Sequence, residues 1–354
     1  MYPNLAIGQN ALLHNLRALK ALTRENGVQM SVATKGLVGH EALVRLLAAH
    51  GADSICEAHI QNLIKFKDIP AEKWLIRSPL ISEADETVRY ADVSLVSEIS
   101  VIRSLSEAAV RQGKGHKAVV MLELGELREG CMRDELVSVC AACLSLPGIT
   151  LHGIGANLSC CSEIVPDERN MAALAEAAAE VSAALGANLA VVSGGSSSAV
   201  KMLAEGRLPA AVNHLRIGEA VLLGNIVCYD VPFEGARTDA FTLNAEIIEV
   251  KGKPSLPWGE RAPAEPAVID DPAFTDRGVR RRALVAVGTQ DVFSKYLIPL
   301  DPDMEIVADT SDCLIADVTD CETKYKPGDI VSFRLRYNGL VSAMSSGYIE
   351  KILL

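Results

Sequence analysis

Between residues 30 and 220 the chain repeats one phrase eight times, a short apolar run followed by a longer amphipathic one. The short runs are SVAT (31–34), DSIC (53–56), WLIR (74–77), VSLV (93–96), KAVVMLEL (117–124), ITLHGIGA (149–156), LAVVSG (189–194) and HLRI (214–217). Each has the length of a strand buried on both faces. The longer runs, such as HEALVRLLAAHG and DERNMAALAEAAAEVSAALG, carry helical spacing of apolar residues. Eight strands alternating with helices over roughly 200 residues predict a closed (β/α)8 barrel of the TIM type. An open doubly wound sheet is the alternative. It favours fewer strands and a GxGxxG turn after the first, which this sequence lacks.

Past residue 235 the pattern changes. FTLNAEIIEV, RALVAVG, MEIVAD, CLIADVTD and DIVSFRLR read as strands separated by turn chemistry such as KPGD (326–329). The expected organisation is therefore a barrel over 8–232 and an all-β domain over 233–354, joined by the N-terminal strand 1–7. Residues 251–280, rich in Pro and charge, read as a long loop, and Arg280, Arg281 and Arg282 read as a solvated basic edge.

The net charge of -11 argues against nucleic acid as a partner, since phosphate-backbone binding requires a surplus of Lys and Arg. The N-terminal residues lack a basic segment followed by an apolar run, and no apolar stretch is long enough to span a bilayer, so a cytoplasmic protein is expected. Nine cysteines then read as reduced thiols. Cys140 and Cys143 form a CxxC on an Ala/Leu-rich helical stretch, where packing is the favoured reading, and the adjacent Cys160 and Cys161 are poor disulfide partners. The seven histidines show no HxH or HExxH spacing, so no metal site is expected.

Active sites of such barrels lie at the C-terminal ends of the strands. Five features fall there: Lys35 after strand one, Arg128 past strand five, Asn157 ending strand six, Ser193-Gly-Gly-Ser-Ser-Ser198 after strand seven, and Arg216 on strand eight. An amine in apolar surroundings spends more time neutral and can attack an aldehyde. The SGGSSS loop offers hydroxyls and approachable backbone N–H groups, a cradle for phosphate, where barrels often bind one. An aldehyde and a phosphate together point to pyridoxal 5'-phosphate. Taken singly, a strand-end lysine is commonly a snorkelling surface residue and a Gly/Ser cluster a turn; Arg128 could pair with Glu126 or Glu129 at the surface. Convergence on one rim is what favours chemistry.

The ordered set YPNLAIGQNALLHNLRAL, VATKGLVGH, LELGELREG, GIGANLSC, SGGSSS, NHLRIGEAVLLG, DAFTLNAEIIEVK, SDCLIADVTD and RLRYNGLVSAM spans nearly the whole chain. It resembles the fold-type III pyridoxal-phosphate enzymes, an alanine-racemase-type barrel with a β domain, and within them the ornithine racemase branch. The resemblance implies that Lys35 holds the cofactor and moves protons at Cα. It sets Arg216 against the pyridine nitrogen, which stays unprotonated because two cations repel. It implies phosphate contacts from Ser196, Ser197, Gly218 and Tyr337, and places Arg128 near the cofactor's phenolic oxygen and the substrate. Asn157 stands where alanine racemases carry a histidine packed on the ring. Asp312 matches an aspartate near the substrate, supplied across a homodimer interface. Two departures stand out. Gly39 replaces a phosphate-assisting tyrosine, and Trp258 in SLPWGE stands where the family's second base, a tyrosine, is expected. Either another residue takes its place, with Asp291, Lys295, Tyr296 and Asp312 the candidates, or Lys35 works alone.

The implied activity is amino-acid racemisation, with ornithine or another basic amino acid preferred. The alternatives are alanine racemase, an aldolase or decarboxylase on the same fold, and a non-catalytic pyridoxal-phosphate-binding protein.

Overall fold

The structure, a computed structural model, describes residues 1–260 and 276–354. They form two compact units, Asn10–Thr238 and Met1–Gln9 with Asp239–Leu354. After β1 (Asn4–Ile7) come β2 (Gln29–Ala33), β3 (Ser54–Glu57), β4 (Glu72–Leu75), β5 (Val93–Val96), β6 (His116–Met121), β7 (Ile149–Gly155), β8 (Val191–Ser193) and β9 (His214–Ile217). The strands β2 to β9 close into a parallel barrel in sequence order, with β2 also pairing with β9. This is the fold expected from the eightfold pattern. Two strands, 93–96 and 214–217, coincide with their expected bounds, and the others move by one to three residues, within the usual latitude of strand ends.

Two packing layers account for the alternation. Ala33, Cys56, Trp74, Val93, Leu95, Val119, Met121 and Val191, all from strands, form one buried cluster. A larger cluster joins the other face of the strands, with Val96, Ala118, Val120 and Ile154, to the apolar stripe of the Ile99–Gln112, Leu136–Ser145 and Glu168–Leu185 helices. Cys140 and Cys143 belong to this second layer. Burial pushes each thiol up to about 12, so both behave as packing groups rather than a redox pair.

The Glu168–Leu185 helix shows how the local sequence sets its bounds. Asp167 accepts the Asn170 N–H at 2.7 Å, the Asn170 side chain accepts the Asp167 N–H at 2.9 Å, and Gly186 ends the helix at φ 62°.

In the barrel unit a two-residue ribbon follows, β10 (Asn225–Ile226) with β11 (Val231–Pro232). The other unit is built on β12 (Phe241–Pro254), β13 (Val279–Val285), β14 (Leu297–Pro299), β15 (Glu305–Asp309), β16 (Leu314–Asp317), β17 (Ile330–Leu335) and β18 (Glu350–Leu353). Their order is β14-β17-β12-β13-β16-β15, and β1 lies antiparallel to β12 and parallel to β18. The expected loop over 251–280 is shorter than its composition suggests, because β12 extends to Pro254 and β13 starts at Val279; its centre, 261–275, lies outside the described residues. Nor is 280–282 a solvated basic edge. Arg280 pairs with the buried Asp317 at 2.7 Å and with Asp320, while Arg281 and Arg282 donate to the carbonyls of Tyr325 and Ser255. Among the described residues no helix is long and apolar enough to cross a membrane.

Replacing Asp167 by Ala removes the cap and is expected to destabilise the chain by about 1 kcal/mol. Urea unfolding followed by circular dichroism checks this.

Candidate functional site

The C-terminal ends of the barrel strands gather Lys35, Asn157, Ser196, Ser197, Arg216 and Gly218. Lys35 sits in the 3-10 turn Thr34–Leu37 that leaves β2, half-buried, with Thr34, Gly36 and Leu37 buried around it. The register pairs Ser31 of β2 with Arg216 of β9, so lysine and arginine ride on adjacent strands, the lysine farther out. Thr34 donates at 2.7 Å to Glu57, a fully buried carboxyl at the end of β3 that also accepts from Asn62 at 3.1 Å. Burial pushes Glu57 above the usual carboxylate range, while Asn62, Thr34 and the nearby Lys35 pull against it.

Gly39 sits at φ +75°. A Cβ there would lie 2.3 Å from Asn62 Oδ1 and 3.2 Å from Lys65 Nζ. The space of the expected family tyrosine is thus approached by an amide and an ammonium from the next helix, Ile60–Lys65.

Arg216 is 3% exposed. Its guanidinium donates to Ala156 O at 2.9 Å, to Ser193 Oγ and to Asn157 Oδ1. Asn157 in turn donates to Glu129, which forms a 2.5 Å ion pair with Arg128. A continuous polar string therefore runs Arg128–Glu129–Asn157–Arg216 along the rim. Arg128 itself is exposed, and the expected surface pairing with Glu129 is present within that string. Glu126, the other suggested partner, has a different task. It is 1% exposed and accepts the backbone N–H groups of Ser159 at 2.9 Å, Cys160 at 2.6 Å, Cys161, and Ser162 at 3.0 Å. One carboxylate thus ties the loop after β6 to the loop after β7.

Past the ends of β8 and β9, Ser197 Oγ accepts from the N–H groups of Gly218 at 3.2 Å and Ala220 at 3.1 Å. A Cβ at Gly218 would meet the Ala33 Cβ at 3.1 Å and the Ala33 carbonyl at 3.2 Å, so the β9 loop lies directly on the strand end that carries Lys35. The donor set suits pyridoxal 5'-phosphate: a primary amine for the aldehyde, a hydroxyl-and-amide cluster at the start of the Glu219–Leu223 turn for the phosphate, and a donor-only guanidinium.

Tyr337 and Asp312 belong to the other unit. Tyr337 starts the Tyr337–Ser345 helix, and Asp312 is exposed on the 310–313 turn, where Thr310 Oγ1 donates to it at 3.1 Å. Asp291 accepts from Ser346 Oγ at 2.7 Å; Lys295 and Tyr296 share a 3-10 turn, with the ammonium 5.0 Å from the ring centroid. Trp258 is 83% exposed. Among the described residues no group of three or more His, Cys, Asp or Glu is placed to hold a metal ion.

Residue-by-residue reading of the sequence passed over His214, which lies beneath Arg216, took Ser193 only as part of the SGGSSS cradle, and misjudged Glu126. The signal for His214 is period two: His214 and Arg216 fall on one face of HLRI.

Comparisons with known proteins agree with one another. The description "Alanine racemase, N-terminal domain" matches residues 7–225. The ornithine racemase of Acetoanaerobium sticklandii is 37% identical, with 100% of both chains covered, and the lysine racemase of Thermotoga maritima is 33% identical over 99% of this chain and 98% of that one. The crystal structure of alanine racemase from Bartonella henselae, which has covalently bound pyridoxal phosphate, superposes with a TM-score of 0.75 at 16% identity over 99% of each chain.

Burial raises the Glu126 carboxyl, but the four amides outweigh it and hold it below its ordinary value. A depressed folded pKa stabilises above the unfolded pKa and is lost as pH falls through the folded one. Glu126→Gln is expected to cost ~1–3 kcal/mol at neutral pH. The gap from the parent should shrink below the ordinary carboxylate range, as read from urea unfolding at a series of pH values.

Proposed function

This chain belongs to the alanine racemase family, and on that premise we propose that it interconverts the L and D forms of a basic amino acid, ornithine first, with pyridoxal 5'-phosphate as cofactor. The single observation that carries the reading is the placement of Lys35, in the turn that leaves the first barrel strand, next to the last strand, which carries the buried Arg216. The names of the two full-length relatives support a basic substrate.

The bound cofactor supplies the carbonyl carbon and the electron-withdrawing ring that make a Cα proton removable. The chain's own residues do the rest. Lys35 holds the cofactor and takes or returns the proton at Cα. Ser196, Ser197, the Gly218 N–H and Tyr337 bind phosphate oxygens. Arg216 would face the pyridine nitrogen and, as a guanidinium, would disfavour a second positive charge there, which suits simple proton removal and return at Cα. Arg128 would lie near the phenolic oxygen and the substrate, and Asn157, which spans Glu129 and Arg216, would pack against the ring. Asp312 completes the site from the second subunit of a homodimer. Trp258 has no basic atom to take up a proton, so either another residue, Asp312 or Asp291 first, serves as second base or Lys35 works alone. Nine free thiols fit a reducing cytoplasm.

Chiral chromatography over a panel of L-ornithine, L-lysine, L-arginine, L-alanine and L-serine tests this. The D-isomer of a basic member is expected to form with a kcat/KM at least about tenfold above that for alanine. Lys35→Ala should abolish both turnover and the cofactor's visible absorption band. Preference for alanine refutes the substrate assignment, and an unchanged band in Lys35→Ala refutes the lysine's role.

A further inference from the structure

Beneath Arg216 the barrel holds a column of buried polar groups for which the reaction has no direct use. Ser193 and Ser31 are fully buried, and His214 is 2% exposed. His214 Nδ1 lies 2.8 Å from Ser193 Oγ, its Nε2 lies 2.7 Å from Ser31 Oγ, and Ser31 Oγ lies 2.6 Å from Ser54 Oγ. The imidazole is stacked on Trp74, with ring centroids 4.6 Å apart and planes at 10°.

The proton positions in this column follow from one fact: a guanidinium only donates. Arg216 donates to Ser193 Oγ, which occupies a lone pair there. Among the described residues Ser193 Oγ meets only Arg216 and His214, so if His214 also donated from Nδ1 the Ser193 proton would be left without an acceptor in a fully buried site. So Ser193 donates to Nδ1. Neutral histidine then carries its proton on Nε2 and donates to Ser31, whose hydroxyl passes its own proton on to Ser54. An imidazolium, with two donors, would break the sequence at Ser193. Consistently, burial, the Arg216 charge and His152 together push His214 down to about 3.

We propose that His214 is a positioning residue for Arg216: the one-way chain Arg216→Ser193→His214→Ser31→Ser54 fixes His214 as the neutral Nε2–H tautomer and locks one arm of the guanidinium in place. Asn157 and Ala156 O, just past β7, receive the other arm beside Ser193 at the end of the adjoining β8, so both arms are engaged and the guanidinium plane is held against rotation. The tautomer is a property of the polypeptide alone. The consequence for the cofactor rests on the assignment of Arg216 to the pyridine nitrogen.

Two measurements on the full chain decide the proposal. The first is long-range proton–nitrogen correlation NMR of histidine-labelled protein without added cofactor, with His214 assigned by its loss in His214→Asn. The expected result is a bare Nδ1 and a protonated Nε2 at pH 7; an Nδ1–H tautomer or an imidazolium overturns the chain of bonds. The second is the pH midpoint of the visible absorption band after loading with pyridoxal 5'-phosphate. His214→Leu should shift it by about one pH unit, a tenfold change in the proton equilibrium. His214→Asn, whose Oδ1 can accept the Ser193 proton, should return it towards the parental value. A purely structural role would lower thermal stability in both variants and leave the midpoint alone. Equal midpoints in parent and variants that bind cofactor overturn the positioning role. If His214→Leu does not fold, the tautomer and His214→Asn still decide: the latter must keep the parental midpoint while His214→Gln, with its amide set one carbon farther out, must shift it. Failure of the parent to bind pyridoxal 5'-phosphate refutes the proposed function, whereas the tautomer is read without it.

Discussion

A guanidinium that is 3% exposed governs the design of this barrel's rim. Moving such a charge out of water costs several kcal/mol, which must be offset by hydrogen bonds of good geometry. Arg216 obtains them from three acceptors: the hydroxyl of Ser193 on the adjoining strand, and the carbonyl of Ala156 and the amide oxygen of Asn157 just past β7. Each partner is itself constrained. Asn157 can turn its oxygen to the arginine only because its NH2 has Glu129 to receive it. Glu129 is neutralised by Arg128. The polar string along the rim and the column beneath it are therefore two branches of one solution to one buried charge.

The loops that frame this charge are secured by the same logic of paying backbone groups in full. Glu126 gathers four successive amides after β7, and Ser197 serves two amides after β9. Loops at barrel mouths otherwise move most readily. Fastening the loops after β6 to β9, the last of which adjoins the strand that leads to Lys35, gives this part of the rim a fixed setting, and a fixed setting is what proton transfer at a single carbon requires.

Much of this was legible in the sequence, for definable reasons. The barrel was readable because strands buried on both faces give apolar runs, and helices between them give a different period. Lys35 stood out as the one cation directly after such a run, and SGGSSS as a glycine-rich turn in the phosphate position. Glu126 and Glu129 were harder. Both lie in one charged loop, ELGELREG, and only the path of that loop decides which carboxylate meets amides and which meets Arg128. The Ser31–His214–Ser193 contact joins the first barrel strand to the last two, and its register depends on how the barrel closes. Gly39 signalled a departure from the family, but its neighbours Asn62 and Lys65 come from the next helix and carry no local mark. The strands Leu297–Pro299 and Glu350–Leu353 escaped notice because each is short and owes its conformation to its partners.

The most direct test of the whole account is hydrogen exchange at Cα. The full chain with pyridoxal 5'-phosphate is incubated with L-ornithine in deuterated water, and the Cα proton is followed by NMR. The account predicts loss of that proton signal with the parent protein, none with Lys35→Ala, and D-ornithine in the same tube. A Cα proton that persists across the basic amino acids, in protein that binds the cofactor at Lys35, would contradict it.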